Sequence, residues 1–339
     1  MQGNNPQLQL RGTGSAGPAG YKAVSSSDVL LSFLQFTVEP ENISHITVQI
    51  KANAVELSLS AKSAILINAL TNEVIYEKNA YEKRGMASTT KIMTALLTIE
   101  RGNLHKTYVA KDEDVRIEGT SIGLKEGDRI TLETLVQGML LESGNDAANV
   151  SARVIGKSRE KFVSLMNQKA KEIGMEDTQF KNPSGLTEEG HFSTAYDMAQ
   201  LCREVMKYDI FREICCLSRA QVEFGNPPYR RWLENYNKLL TMYPYCIGVK
   251  TGFTEAAYRC LVSAAEKDGM TLICVTLNCP DDWAVHEQLY EHYFSVLSNT
   301  DVTANIPEML ELCNYGIGSQ GEIVERVAVK PATELVFPM

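Results

Sequence analysis

The sequence predicts a mixed α+β domain whose sheet joins strands from distant parts of the chain. Three observations carry that expectation. "SAILINAL", "TNE" and "VIYEKN" read as a strand, a turn and a strand from Ser63 onward. A series of helical patterns then runs from about residue 88 to residue 207. "YRCLVSAAEKDGMTLICVTLN" (258–278) reads as two more strands around a Lys-Asp-Gly turn. Strands thus open and close the core, with helices between them.

Taken in order, residues 1–28 are rich in Gly, Asn, Gln, Ser and Pro and read as a flexible tail. Residues 29–60 alternate only weakly. Their best apolar run, "VLLSFLQFTV" (29–38), is far short of the roughly 20 residues a bilayer needs. Lys22 precedes it as in a signal-peptide core, but a long polar segment comes first and no small-residue cleavage site follows. No signal peptide is identified, and an extra strand or helix, or a poorly ordered extension, is expected there. A helix begins near Ser88, with Ile92, Leu96 and Ile99 apolar and Gly102 as its stop. Further helices are expected at 131–142, 146–156, 159–174 and 196–207, then a strand at 247–254 and a long closing helix at 282–298. "YGIGSQGEIVERVAVKP" resembles the start of further β structure.

Composition narrows the function. The 339 residues are 44% hydrophobic, enough for a sizeable core. Net charge is −9, with basic residues dispersed, so no basic stripe offers a nucleic-acid face. Eight cysteines contain no C-x-x-C pair and read as small buried apolar residues. The five histidines are scattered, and His286 and His292 are not aligned on one helix face; no metal site is expected.

Three short stretches carry chemistry. "MASTTKIMTALL" (86–97) sets Ser88 and Lys91 three apart, on one helix face, among apolar neighbours. A cation is unfavourable at the amide end of a helix. A desolvated lysine there loses its proton more readily and so takes one from Ser88. Helix-end N–H groups also suit a developing oxyanion. The bland alternative is that Ser88 merely caps the helix. A second copy, Ser158 and Lys161 in "GKSREKF", lies among charges and reads as a solvated helix start. "LESGNDAAN" supplies Ser143 and Asn145, in what is otherwise an ordinary turn. "GVKTGFT" supplies Lys250, Thr251 and Gly252, with Lys250 and Gly252 on one strand face and Thr251 on the other. In this order the triplets match the Ser-x-x-Lys, Ser-x-Asn and Lys-Thr-Gly set of penicillin-recognising serine enzymes.

Over residues 60–300 the sequence resembles the serine-type D-alanyl-D-alanine carboxypeptidases, the low-molecular-mass penicillin-binding proteins of peptidase family S11. "AKSAILIN", "GTSIGLKEGDRITLETLVQGMLLESGNDAAN", "FKNPSGL", "HFSTAYDMAQL", "NKLL" and "KTGFTEAA" stand in that family's order. The resemblance implies a DD-peptidase/β-lactamase-like fold: an antiparallel sheet flanked by helices, plus a helical subdomain and the start of a C-terminal β domain. It divides the chain into an N-terminal extension (1–58), a catalytic domain (59–298) and a C-terminal β segment (299–339). It implies that Ser88 attacks the last peptide bond of a peptidoglycan stem peptide ending in D-Ala-D-Ala. Lys91 would be general base, and Ser143, helped by Lys250, a proton relay to the leaving amine. Asn145 would bond the substrate backbone or the Lys91 amine, and Lys250 and Thr251 would hold the terminal carboxylate. Gly252 completes the substrate-binding strand, and the N–H groups of Ser88 and Phe253 would form the oxyanion hole. It implies no cofactor or metal, acylation by β-lactams, an extracytoplasmic location and peripheral membrane association through a full C-terminus.

The chain departs from the family pattern at Tyr258, where Gly is usual and a side chain is expected to crowd the sheet. Ile247-Gly248 also replaces a common Asp-Gly. Two neighbouring readings are a catalytically weak peptidoglycan-binding or penicillin-binding protein, and a class A-like β-lactamase. The second lacks its Glu-x-x-x-Asn stretch, since "FKNPSGL" stands in that region.

Overall fold

The computed structural model describes residues 8–11, 21–25, 34–37, 45–50, 59–297 and 303–305. It divides into one compact unit of Ser58–Glu291 and another of Met1–Leu57 with His292–Met339.

The first strands fall inside the segment read as a flexible tail. These are β1 (Leu8–Arg11) and β2 (Tyr21–Ser25), paired antiparallel, followed by β3 (Leu34–Thr37) and β4 (His45–Ile50). "LQLR" and "YKAVS" are brief alternations flanked by Gly-rich sequence, so composition hid them. β3 also occupies part of the apolar run at 29–38.

Within the Ser58–Glu291 unit, β5 (Ser63–Asn68) is buried over its first five residues and pairs with β6 (Val74–Lys78). A 3-10 turn (Ala87–Thr90) leads into α1 (Lys91–Arg101). α1 is buried on every face from Lys91 to Thr98, which makes it the central helix rather than a half-exposed one. β7 (Thr107–Val109), the short α2 (Asp112–Val115) and β8 (Arg129–Thr131) follow. The expected helices are present as α3 (Leu132–Leu140), α4 (Asn145–Gly156), α5 (Arg159–Glu172) and α6 (Ala195–Val205). Thr131, Ser158 and Thr194 cap α3, α5 and α6 through their hydroxyls, each accepting a backbone N–H three residues on.

The sequence reading passed over α7 (Asp209–Cys215), the hairpin β9 (Arg219–Gly225) and β10 (Pro228–Glu234), and α8 (Leu239–Met242). The hairpin is mostly solvent-facing, so its apolar pattern is weak; only Val222, Phe224 and Leu233 are buried apolar anchors. It continues a four-stranded sheet, β10-β9-β8-β7.

β11 (Cys246–Thr254), β12 (Tyr258–Lys267) and β13 (Met270–Leu277) complete the main sheet, in the order β11-β12-β13-β5-β6. Every pairing in it is antiparallel. The expected Lys-Asp-Gly turn joins β12 to β13 with positive φ at Asp268 (52°) and Gly269 (77°), as a tight two-residue hairpin requires. α9 (Asp282–Leu297) closes the sequence of helices. β14 (Thr303–Asn305) pairs with β4 in the other unit, giving a sheet of order β1-β2-β3-β4-β14. "YGIGSQGEIVERVAVKP" lies outside the described residues.

Among the described residues the cysteines are free thiols, and Cys202, Cys215, Cys260, Cys274 and Cys279 are buried. His286 is a core residue, with Nδ1 2.6 Å from Ser263 Oγ and Nε2 2.9 Å from Thr276 Oγ1.

Candidate active site

Ser88 sits in the 3-10 turn rather than in the first turn of α1. Residues three apart eclipse each other in that geometry, so Lys91 stands directly over Ser88. Lys91 Nζ donates to Ser88 Oγ at 2.9 Å and to Ser184 O at 2.6 Å. The Ser88 hydroxyl caps nothing: neither the 3-10 turn nor α1 has a side-chain cap bond. Lys91 has no solvent exposure, because it begins a helix enclosed on all sides. Burial holds its pKa well below the ordinary lysine value; the charge of Lys250 adds to this and Asp146 opposes it.

The loop that supplies the Ser184 carbonyl is built by Asn182. Its Oδ1 accepts from Ser184 N at 3.2 Å and Gly185 N at 2.7 Å. Gly185 has φ +88°, and a Cβ there would lie 1.9 Å from Ala87 O. Only glycine lets this loop close against the turn that carries Ser88. His191 ties the loop to the same turn. Its Nδ1 accepts from Lys181 N at 2.9 Å and its Nε2 lies 2.9 Å from Thr90 Oγ1. Burial lowers its pKa to about 4, so the ring is neutral with Nε2 carrying the proton.

Ser143 and Asn145 lie at the turn between α3 and α4, both nearly buried, with Ser143 at φ +60°. Segment 118–124 is strapped across this turn. Thr120 Oγ1 donates to Ser143 O at 2.7 Å, and Asn145 N donates to Thr120 O at 2.8 Å. Asn145 Nδ2 donates to Glu118 O at 2.8 Å. The Asp146 carboxylate accepts from Ile122 N and Leu124 N, both at 3.0 Å. Asn145 Oδ1 is buried without a hydrogen-bond partner. Lys91 spends its bonds on Ser88 and Ser184, so neither Ser143 nor Asn145 is bonded to it in this structure.

The third triplet lies on β11, the edge strand of the main sheet. Burial alternates as expected: Lys250 and Gly252 are buried, Thr251 is half-buried and Phe253 is exposed. A Cβ on Gly252 would stand 3.0 Å from Ser88 N and 3.1 Å from Met86 O, so the glycine is what allows β11 to approach the nucleophile's turn. Lys250 Nζ donates to Thr251 O at 2.8 Å, and burial lowers its pKa to about 7. An edge strand leaves one row of backbone groups outside the sheet, ready for an extended ligand. Tyr258 does not crowd the sheet as expected. It takes φ +57°, the conformation for which glycine is suited, and is 58% exposed.

The first and third triplets therefore meet where Gly252 approaches the Ser88 turn, and the second is linked to Lys91 through the charge of the neighbouring Asp146. A family model described as D-alanyl-D-alanine carboxypeptidase, peptidase S11, matches residues 48–281. The chain belongs to the S11 peptidases. A D-alanyl-D-alanine carboxypeptidase of Bacillus subtilis, DacF, is 42% identical over 227 residues, 65% of this chain and 58% of the relative's length. A second carboxypeptidase, from Mycobacterium tuberculosis, is 34% identical over 215 residues, 63% of this chain and 73% of its own. Among solved structures, a D-alanyl-D-alanine carboxypeptidase of Mycobacterium tuberculosis superposes with TM-score 0.70 at 30% identity, over 75% of this chain and 98% of that one. The Streptomyces K15 DD-transpeptidase superposes with TM-score 0.66 at 27% identity, over 70% and 98%. The fold of this S11 chain is thus the DD-peptidase fold, as the triplets and blocks implied.

Sequence reading missed several groups in this S11 site. The Ser184 carbonyl bonds Lys91 and Thr120 bonds Ser143, while Asp146 holds the 121–124 segment and His191 bonds Thr90 of the turn that carries Ser88. "FKNPSGL" did carry a signal, because Asn before Pro-Ser-Gly is an Asx-turn former.

Proposed function

We propose that this chain is a serine-type D-alanyl-D-alanine carboxypeptidase acting on peptidoglycan stem peptides, with residues 59–298 as its catalytic domain. The observation that carries the reading is the 2.9 Å contact between Ser88 Oγ and the amine of a fully buried lysine. With Lys91 neutral, the same contact lets the hydroxyl donate to the amine. Ser88 Oγ then attacks the carbonyl carbon of the penultimate D-alanine while its proton passes to Lys91. Negative charge develops on the carbonyl oxygen and is met by the N–H groups of Ser88 and Phe253. The C–N bond breaks, a proton reaches the leaving amine through Ser143, and D-alanine departs. Water attacks the remaining Ser88 ester and releases the shortened peptide.

Lys250 and Thr251 hold the terminal carboxylate, Gly252 admits the substrate backbone beside Ser88, and Asn145 bonds that backbone. β-Lactams enter as acyl donors and remain on Ser88. The reaction belongs to the cell envelope, and the location proposed is extracytoplasmic. Among the described residues no helix is long and apolar enough to cross a membrane. The test is D-alanine release from diacetyl-Lys-D-Ala-D-Ala, with Ser88→Ala alongside. Release that disappears in the variant supports the reading. No release from folded wild-type protein overturns it.

A further inference from the structure

The β9–β10 hairpin grips the residues just before Ser143, and the mechanism above gives that contact no role. On β10, Tyr229, Arg231 and Leu233 share one face. Leu233 is buried there, so Arg231 is turned inward with it, its guanidinium 5.7 Å from the centre of the Phe224 ring. Its neighbour Arg230 faces outward and pairs with Glu223 across the hairpin at 3.1 Å, both side chains exposed. Arg231 Nη1 donates to Ile122 O, and Nη2 donates to Glu142 Oε2 at 3.2 Å. The other Glu142 oxygen accepts from Glu234 N at 3.3 Å, and Tyr236 N donates to Leu141 O at 3.2 Å.

The same guanidinium fixes the strap over the Ser143 turn. Ile122 is buried, and a Cβ on either Gly138 or Gly144 would come 2.9 Å from its side chain, so it is seated against α3 and the turn together. Its N–H is taken by Asp146 and its carbonyl by Arg231. Two residues earlier in the strap, Thr120 bonds Ser143 O and Asn145 N. Arg231 therefore reaches the turn by two routes, through Glu142 before Ser143 and through the strap above it. Ser143 has φ +60°, a conformation that a serine keeps only where its surroundings impose it.

We propose that Arg231 and Glu142 are positioning residues that hold Ser143 for proton delivery to the leaving amine. The proposal rests on the carboxypeptidase reading and on the relay role given there to Ser143. As the C–N bond breaks, the Ser143 hydroxyl must stand within hydrogen-bond reach of the departing nitrogen, and a misplacement of about 1 Å costs about 10²-fold in rate. A planar guanidinium that bonds two acceptors at a fixed spacing suits this task, and an ammonium does not.

The test changes the leaving group. Diacetyl-Lys-D-Ala-D-Ala is compared with the thioester in which sulfur replaces the nitrogen of the last amide. The thiolate departs with the bonding electron pair and needs no proton, so it bypasses Ser143. Both substrates leave the same Ser88 ester, so kcat/KM is compared, which reports the steps up to departure. In Arg231→Met and Glu142→Ala, kcat/KM is expected to fall about 10- to 100-fold for the peptide and less than about threefold for the thioester. Ser143→Ala is expected to show the same selectivity more strongly, and Arg231→Lys to fall between wild type and Arg231→Met. Arg230→Gln, on the outer face, is expected to leave both rates unchanged. If Arg231→Met does not fold, Arg231→Lys and Glu142→Ala carry the same comparison. Equal losses on both substrates in the folded variants, or no loss on either, overturn the proposal. Equal losses in Ser143→Ala overturn the relay and the proposal with it. No turnover of either substrate by wild-type protein overturns the carboxypeptidase reading instead.

Discussion

The chain holds two Ser-x-x-Lys sequences, and they do opposite things. At Ser88 the hydroxyl faces the lysine amine, 2.9 Å away, and caps no helix. At Ser158 the hydroxyl faces the backbone and accepts from Lys161 N at 3.2 Å, while the Lys161 side chain is exposed. Spacing is identical, so spacing does not decide. Two local features do. Ser88 lies inside a 3-10 turn, where residues three apart eclipse, whereas Ser158 is the extended N-cap of α5 at φ −154°. Lys91 begins a helix buried on all faces, whereas α5 buries only Phe162, Met166 and Ala170. A serine becomes a candidate nucleophile when its lysine has nowhere to find water.

That comparison is broken most severely by removing the first pair. Ser88→Ala or Lys91→Ala is expected to lower D-alanine release by at least about 10³-fold, measured by turnover on folded protein. Gly185→Ala comes next. Its Cβ would strike Ala87 O and its φ is positive, so stability is expected to fall by more than about 1 kcal/mol in denaturant titration. Activity is expected to fall with it, because the Ser184 carbonyl that holds Lys91 moves.

The third expectation concerns pH. In the proposed role Lys250 would hold the substrate carboxylate only while protonated, and burial lowers its pKa to about 7. The rate is therefore expected to decline as pH rises through that value, and Lys250→Arg is expected to move this limb upward. Stability runs the other way. The unfolded lysine keeps its proton up to about pH 10.5, so between about 7 and 10.5 the unfolded chain binds more protons and stability rises with pH. His191, with a folded pKa of about 4, adds a loss of stability as pH falls from about 6.5 toward 4. Thermal melts across both ranges read these signs.

The smallest effect is expected at the second copy. Ser158→Ala is expected to cost about 1 kcal/mol as a lost cap, seen by denaturant titration, and to leave penicillin acylation in place.

Much of the site was legible because its residues are unusual for their positions. A lysine opening an apolar helix, and a Lys-Thr-Gly strand, both stand out against local expectation. The helices were legible through Thr131, Ser158 and Thr194, which announce their starts. What could not be read is mostly backbone. The Ser184 carbonyl is invisible in a letter code, and its position depends on an Asx turn and on a glycine closing against Ala87. The 3-10 geometry under Ser88 was likewise read as ordinary helix. The β9–β10 hairpin escaped because its residues face water, and β1 and β2 because they are four or five residues long among glycines.

The most direct measurement is to incubate the folded protein with penicillin, digest it and locate the acyl group by mass spectrometry. The expected result is a single adduct on the peptide containing Ser88, absent from Ser88→Ala and never on the peptide containing Ser158. An adduct on Ser158, or one that persists in Ser88→Ala, would contradict the assignment of Ser88 and Lys91 as nucleophile and base.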